Sequence, residues 1–302
     1  MSSPPSFPAI DDYDFPRNFR DIATRLGIEV KEMGFNRALL SLKGKQQAVN
    51  LANLRARVAY LTVDEKPGAI EYYLRAVLDT MVEGPTPSLD EIRGWLMARV
   101  GPPWGARGRP PKESGGEIPP SHSLVDGFLV VNVVADLPRT IWYIDNRALG
   151  QWSTTLDAIY PVAIENLRRR SLAAAWRTVP NVPEVLFYET GDSFDGARIL
   201  ILRDLFPSWP RLGVVACVPS RDLLMAVKLD SVASLKPIQA MIGICQGAYR
   251  DSPYQVSDQA FWFDGQLYER IAVEPDAKNL KIIPSARLTE ALNRLAGSQA
   301  LR

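Results

Sequence analysis

Histidine and cysteine are nearly absent. The chain of 302 residues has one histidine, His122, and two cysteines, Cys217 and Cys245. Most zinc sites are thereby excluded, because they gather about three or four Cys and His ligands. Histidine-based acid–base chemistry is left with a single participant. Neither G-x-x-x-x-G-K-[ST] nor G-x-G-x-x-G occurs, so the usual phosphate-cradling loops are missing and no cofactor is expected. No apolar run reaches the roughly 20 residues of a membrane helix. The longest, Phe128 to Val134, has strand length and is broken by Asn132. The opening MSSPPSFPAIDDYDFP carries no basic stretch and no apolar core of a secretion signal, so a cytoplasmic location without membrane contact is expected. Charge of either sign is not in excess: the net charge is +1 and the pI about 7.7, which argues against a general nucleic-acid footprint.

What is present suffices for a folded core: 46% of residues are apolar and 23% charged, near globular averages. Residues 1–16, with four prolines and the acidic DDYD, read as a disordered tail. A helix is expected from Arg17 to Leu26, stopped by Gly27. A hairpin follows, with Ala38–Leu42 and Gln47–Leu51 flanking Lys43-Gly44-Lys45-Gln46, and then helices over Asn53–Leu61 and Ile70–Met81. Ser88-Leu89-Asp90-Glu91 is a capping box, predicting a helix to about Val100. Residues 17–100 thus read as an N-terminal α+β part with a helix pair. Gly101–Pro120 (GPPWGARGRPPKESGGEIPP) is the clearest linker or insertion, since proline removes amide donors and glycine raises the entropy lost on ordering.

Residues 121–302 read as the main α+β domain. Gly127–Ala135 is a near-continuous apolar strand, Asp136–Arg139 a turn, and Thr140–Ile144 its return. The next helix opens at a Thr154/Asp157 capping pair and ends at Arg168-Arg169-Arg170, where cations complement the dipole. Val185–Glu189 is a strand and Thr190–Gly196 a turn. Ala197–Phe206 is open between helix and strand, with Asp195 as an N-cap favouring helix. Gly213–Val218 is a strand, and Ser220 or Asp222 starts a helix after it. A long helix over Val232–Tyr249 begins nearer Leu235 if Pro237 lies in its first turn. Asp264-Gly265 marks a hairpin between Phe261–Phe263 and Gln266–Glu269, and a last helix starts at Ser285. Hairpins outnumber parallel crossovers. The fold class is therefore α+β (mixed α/β): an antiparallel-rich sheet with packed helices and a helical insertion in the N-terminal half.

Two polar blocks beside apolar runs are the candidate chemistry. Asp192 and Asp195, three apart in a turn, are the candidate metal ligands, for Mg²⁺ with phosphate and water. Asp222 joins them if the blocks converge, with Arg198 and Arg221 gripping a phosphate. The alternative is structural: Asp192 closes a turn, Asp195 caps a helix, and the arginines pair with Asp222 or Glu189. A Ser220/His122/Asp222 triad is conceivable but has no G-x-S-x-G context. Cys217 and Cys245, both in apolar runs, are expected to be reduced core thiols. Of the seven tryptophans, Trp142, Trp152 and Trp262 are assigned to the core. Trp95, Trp104 and Trp209, with Arg107 and Arg109 of the linker, are candidate anchors for a protein partner.

Several blocks together resemble the DUF1444 (UPF0354) family of bacterial proteins. They are GFLVVNVVADLPRTIWYI, LGQW before the helix ending AIENLRRR, GDSFDGARILI, VVACVPSRDLLMAV and DGQLYER, covering roughly 125–270, with ALLSLKGKQQAVNLANL more loosely. The resemblance implies a soluble bacterial protein and carries over no settled activity. The proline-rich start and the expanded segment at 83–118 depart from the family pattern. The leading expectation is a non-catalytic cytoplasmic module that binds another protein. The alternatives are a metal-dependent phosphoester or phosphate-handling enzyme, and a weak nucleic-acid binder acting through the basic linker and Arg168–Arg170. Homo-oligomers remain possible.

Overall fold

The computed structural model describes residues 13–81, 86–105, 118–138, 140–171, 176–179, 181–252, 254–276 and 279–300. The chain divides into two compact units, Met1–Pro85 and Thr86–Arg302. The fold is α+β, with antiparallel sheets and packed helices. Among the described residues no helix is long and apolar enough to cross a membrane.

In the first unit, helix α1 (Phe15–Arg25) starts two residues before the expected Arg17, because the Asp14 carboxylate caps it by accepting from Arg17 N. Phe15 is buried in that helix and so does not belong to a tail; residues 1–12 lie outside the described residues. Strands β1 (Glu29–Met33), β2 (Arg37–Leu42) and β3 (Lys45–Asn50) form an antiparallel sheet in that order. Lys43 and Gly44 have φ of 47° and 84°, so the β2–β3 turn is two residues long. Such a turn requires positive φ at both positions and matches strand twist. Helices α2 (Ala52–Ala59) and α3 (Lys66–Met81) complete the unit. Phe19, Ile22, Leu40, Leu51, Ile70 and Leu74 meet in its core. β1 was not foreseen, because Glu29-Val30-Lys31-Glu32-Met33 is mostly exposed and charged.

In the second unit the Ser88 capping box forms: Ser88 Oγ accepts from Glu91 N, and Glu91 Oε2 from Ser88 N at 2.7 Å. The helix to Val100 does not. α4 (Leu89–Ile92) passes into a 3₁₀ turn, Arg93–Trp95, and the chain becomes strand β4 (Leu96–Gly101). Leu96, Met97, Ala98 and Val100 are buried as a near-continuous run, which a strand covered on both faces accommodates. β4 pairs along β6 (Leu129–Asp136), while β5 (His122–Val125) pairs the first half of β6 and β7 (Ile141–Tyr143) the second. Residues 101–120 therefore connect two strands of one sheet, and the division between units lies at Pro85/Thr86 instead. After α5 (Asn146–Gln151), α6 (Leu156–Arg170) is capped by Thr155, whose Oγ1 accepts from Ala158 N, rather than by Thr154.

The larger sheet has seven strands in the order β14-β13-β12-β10-β11-β9-β8, all antiparallel. They are β8 (Trp176–Val179), β9 (Val182–Tyr188), β10 (Val214–Ser220), β11 (Leu223–Lys228), β12 (Ala260–Phe263), β13 (Tyr268–Asp276) and β14 (Asn279–Ile283). Its two faces alternate as strand geometry demands. Val215, Cys217, Met225 and Trp262 face α8 (Leu235–Asp251) and α9 (Ala286–Ala300), meeting Ile238, Met241, Cys245 and Leu288. Val214, Ala216, Val218, Leu224 and Phe261 face the opposite way, into a core shared with the smaller sheet. Between the sheets lies a 3₁₀ turn, Gly196–Ile201, followed by α7 (Leu202–Leu205). Pro237 falls in the first turn of α8, as expected. Ser220 and Asp222 start no helix. They belong to the tight turn of the β10–β11 hairpin, because Leu223–Lys228 buries alternate residues on both faces of a central sheet.

Candidate functional site

The two polar blocks do meet. The Thr190–Asp195 loop leads into the 3₁₀ turn, and Gly196 N donates to Arg221 O at 2.9 Å. The approach requires glycine: a Cβ at residue 196 would lie 2.6 Å from Val218 Cγ1 and 2.7 Å from Ser220 O.

Contact between the blocks makes no open site. Arg198 is 0% exposed and points inward. Its Nε donates to Ser171 Oγ (2.9 Å), Nη1 to Asp192 Oδ1 and Asp195 Oδ1 (both 2.9 Å), and Nη2 to Asp192 Oδ2 (2.6 Å) and Arg170 O (3.4 Å). All five N–H donors of a guanidinium are consumed, with Tyr188 beneath its plane at 4.9 Å. Asp195 accepts from Thr190 N, from Thr190 Oγ1 (2.7 Å) and from Gly191 N (3.1 Å). It occupies the N-cap position of the 3₁₀ turn but makes no side-chain cap bond there, because its oxygens are turned back to the loop. Asp192 accepts from Phe194 N at 2.9 Å, closing a turn. Arg198 pairs with these two aspartates and not with Glu189.

The carboxylates respond oppositely to this environment. Burial pushes Asp192 up, but the hydrogen bonds and charge of Arg198 outweigh it and hold the group below its ordinary value. For Asp195 burial wins over the Thr190 and Gly191 donors, and the neighbouring Asp192 charge adds to the rise. Two carboxylates sharing one guanidinium titrate as a unit. The guanidinium already supplies the positive charge between Asp192 and Asp195. Among the described residues no group of three or more His, Cys, Asp or Glu side chains is placed to hold a metal ion.

The second block is similarly engaged. Arg221 Nε donates to Asp222 at 3.1 Å, the guanidinium lies 3.2 Å from the centre of the Tyr254 ring, and Arg221 N donates to Tyr254 O. Ser220 Oγ accepts from Asp222 N. His122 lies on β5 with its ring edge-on to Tyr160 (4.8 Å) and Nε2 3.4 Å from Asp157 Oδ1. Among the described residues no hydrogen bond joins His122 to Ser220. The arginine run is paired as well: Arg168 with Asp204 (2.8 Å), Arg169 with Glu165 (3.2 Å) and Arg170 with Asp136 (2.6 Å). Cys217 and Cys245 are buried free thiols; the hydrogen bond with Cys245, and then burial, pushes Cys217 well above the usual thiol value.

The candidate anchors separate. Trp209 is wedged edge-on between Phe206 (6.3 Å) and Phe263 (5.6 Å), with Arg203 over its ring, so it is part of the packing. Trp104 is half-buried edge-on to Tyr143, its Nε1 buried without a hydrogen-bond partner among the described residues. Trp95 is 42% exposed. Arg107 and Arg109 lie outside the described residues. A further surface feature had escaped sequence reasoning. Arg55 on α2 is sandwiched between the Phe15 ring (4.1 Å) and the Phe35 ring (4.7 Å), and Phe35 is 76% exposed. Arg55 makes no ion pair among the described residues, its Nε is buried without a partner, and burial lowers its pKa. A phenylalanine in the Gly34-Phe35-Asn36 turn, where polar residues are usual, was the available signal.

No protein-family model matches the chain, and neither a curated protein nor a solved structure matches it.

Proposed function

We propose that the chain is a non-catalytic module that binds another protein through exposed aromatic side chains and the half-buried Arg55. The observation that carries this reading is the complete internal consumption of Arg198: a guanidinium with every donor used and no exposed surface has nothing to offer a phosphate. The Asp192/Asp195/Arg198 cluster then serves as a clasp that fixes the loop between the sheets. The contact residues are Trp95 in the second unit and Phe35 with Arg55 in the first. Tryptophan and arginine are enriched among the residues that dominate binding energy, and a cation such as Arg55, without an ion pair among the described residues, calls for an acidic group on the partner. A cytoplasmic place and kinship with DUF1444 belong to the same proposal.

The test is affinity isolation with the full chain and its Trp95→Ala and Phe35→Ala/Arg55→Ala variants. The expected result is a partner held in stoichiometric amount by the wild type and lost from at least one variant whose melting temperature is unchanged. Identical partners in all three, or a Mg²⁺-dependent phosphoesterase turnover abolished by Asp192→Asn, overturns the reading.

A further inference from the structure

A cleft of about 440 Å³ opens where the segment leading into β10, the β12–β13 hairpin and α9 converge. We propose that this cleft binds a small phosphate-bearing ligand, held by Arg211, Arg287 and Arg294 above a floor of Trp262. The proposal is independent of the protein-binding reading. The volume falls in the range of small-ligand clefts, roughly 300–1,000 Å³. Arg287, Ala291 and Arg294 follow one another at i, i+4 and i+7 on α9, so they share a helix face, and the small Ala291 leaves space between the two guanidinium groups.

The three arginines differ in how firmly they are held. Arg287 is fixed: it lies 4.8 Å over the Trp262 ring, 3.3 Å from Asp264 Oδ2 and 2.8 Å from Glu269 Oε1, and donates to Leu267 O. Its Nε is nevertheless buried without a well-aligned hydrogen bond. It stands in the first turn of α9, where the helix dipole disfavours a cation, and the two carboxylates compensate for that placement. Arg294 pairs with Glu290 at 3.1 Å, and both side chains are mostly exposed, so this pair is weak. Arg211 is exposed and its guanidinium makes no ion pair among the described residues, while its backbone N–H is anchored to Asp230 Oδ1 at 3.0 Å.

The floor is equally fixed. Trp262 is buried and its Nε1 donates to Leu212 O at 2.6 Å. The one lining carboxylate, Asp264, is engaged by Gln266 N, Leu267 N and Arg287, so its charge is already answered. Three guanidinium groups, one of them preorganised by Trp262, Asp264 and Glu269, thus line a single cleft. Planar guanidinium forks match phosphate oxygens bidentately, which selects phosphate over a spherical anion.

The experiment uses the full chain with inorganic phosphate as the probe, at constant ionic strength set with chloride. Melting temperature and calorimetric titration are both read. The wild type is expected to show a saturable rise in melting temperature. Arg211→Gln and Arg294→Gln are each expected to weaken the apparent Kd about tenfold, a loss of one charge-assisted contact. Both side chains are exposed, so their unliganded melting temperatures stay at the wild-type value. Glu290→Gln removes a carboxylate that pairs with Arg294 and is expected to tighten binding. The exposed Arg25→Gln is the neutral control. No saturable response in the wild type, an equal response to chloride, or unchanged affinity in the Arg211→Gln/Arg294→Gln double variant overturns the proposal.

Discussion

Replacing Arg198 by methionine removes the cation shared by buried Asp195 and half-buried Asp192 while keeping much of its volume. The wild-type cluster satisfies every donor of Arg198, and Asp195 is wholly buried. Breaking a buried pair by deleting one partner costs about 3–5 kcal/mol, because the remaining charge is left uncompensated. For a unit the size of Thr86–Arg302, each kcal/mol shifts the melting temperature by about 2–4 °C, so a fall of about 6–20 °C is expected. The pH dependence is the sharper readout. In the wild type, Asp192 sits below its unfolded value, so its contribution is whole above the ordinary carboxylate range and is lost as pH falls through its folded value. Asp195 sits above its unfolded value, so its ionisation opposes folding, and the penalty is relieved as pH falls through that raised value. The two partly cancel. In Arg198→Met both carboxylates are raised, the cancellation disappears, and the variant recovers stability relative to wild type as pH is lowered from neutrality. The triple variant Arg198→Met/Asp192→Asn/Asp195→Asn removes the orphaned charges and should regain a substantial part of the loss. Chemical denaturation at several pH values measures all of this. A methionine variant within about 1 kcal/mol of wild type, with an unchanged pH profile, refutes the account of the cluster as a clasp.

Two further outcomes follow from the same packing. Gly196→Ala forces a methyl group against Val218 and the Ser220 carbonyl, and is expected to destabilise by about 1–3 kcal/mol in urea titration. A loss under about 0.5 kcal/mol would contradict that close approach. Cys217 and Cys245 are wholly buried, so neither should react with an aromatic disulfide reagent in the native state, and both should react after denaturation. Rapid native labelling would show that the face between β10 and α8 is open.

Much of the architecture was legible in residue pattern alone. The Gly127–Ala135 run is strand β6 in all but its ends, and Asp264-Gly265 turns a hairpin. Pro237 marks the first turn of α8, and Ser88 and Glu91 form their reciprocal cap. These features depend on neighbours within a few residues. The failures share a cause. β4 follows a true helix-start signal, and a short apolar run that is buried on both faces has the same look in a strand and in a helix. β1 lies at a sheet edge and its alternation breaks at the register shift between Val30 and Glu32. The Ser220–Asp222 corner has the residues of a helix cap, yet β9 and β10 on either side of Leu223–Lys228 draw it into the sheet.

The order of amino acids determined which segments alternate, which carry caps, and that aspartates and arginines stand beside buried runs at Asp192–Arg198 and Ser220–Asp222. Only the tertiary structure decided which way those charges face. A side chain that turns inward must exhaust its hydrogen bonds on the protein, as Arg198 does, whereas one left at the rim keeps donors for something else, as Arg211 does. That choice depends on residues far away in sequence, Ser171 for one and the α9 helix for the other, and no local pattern contains it.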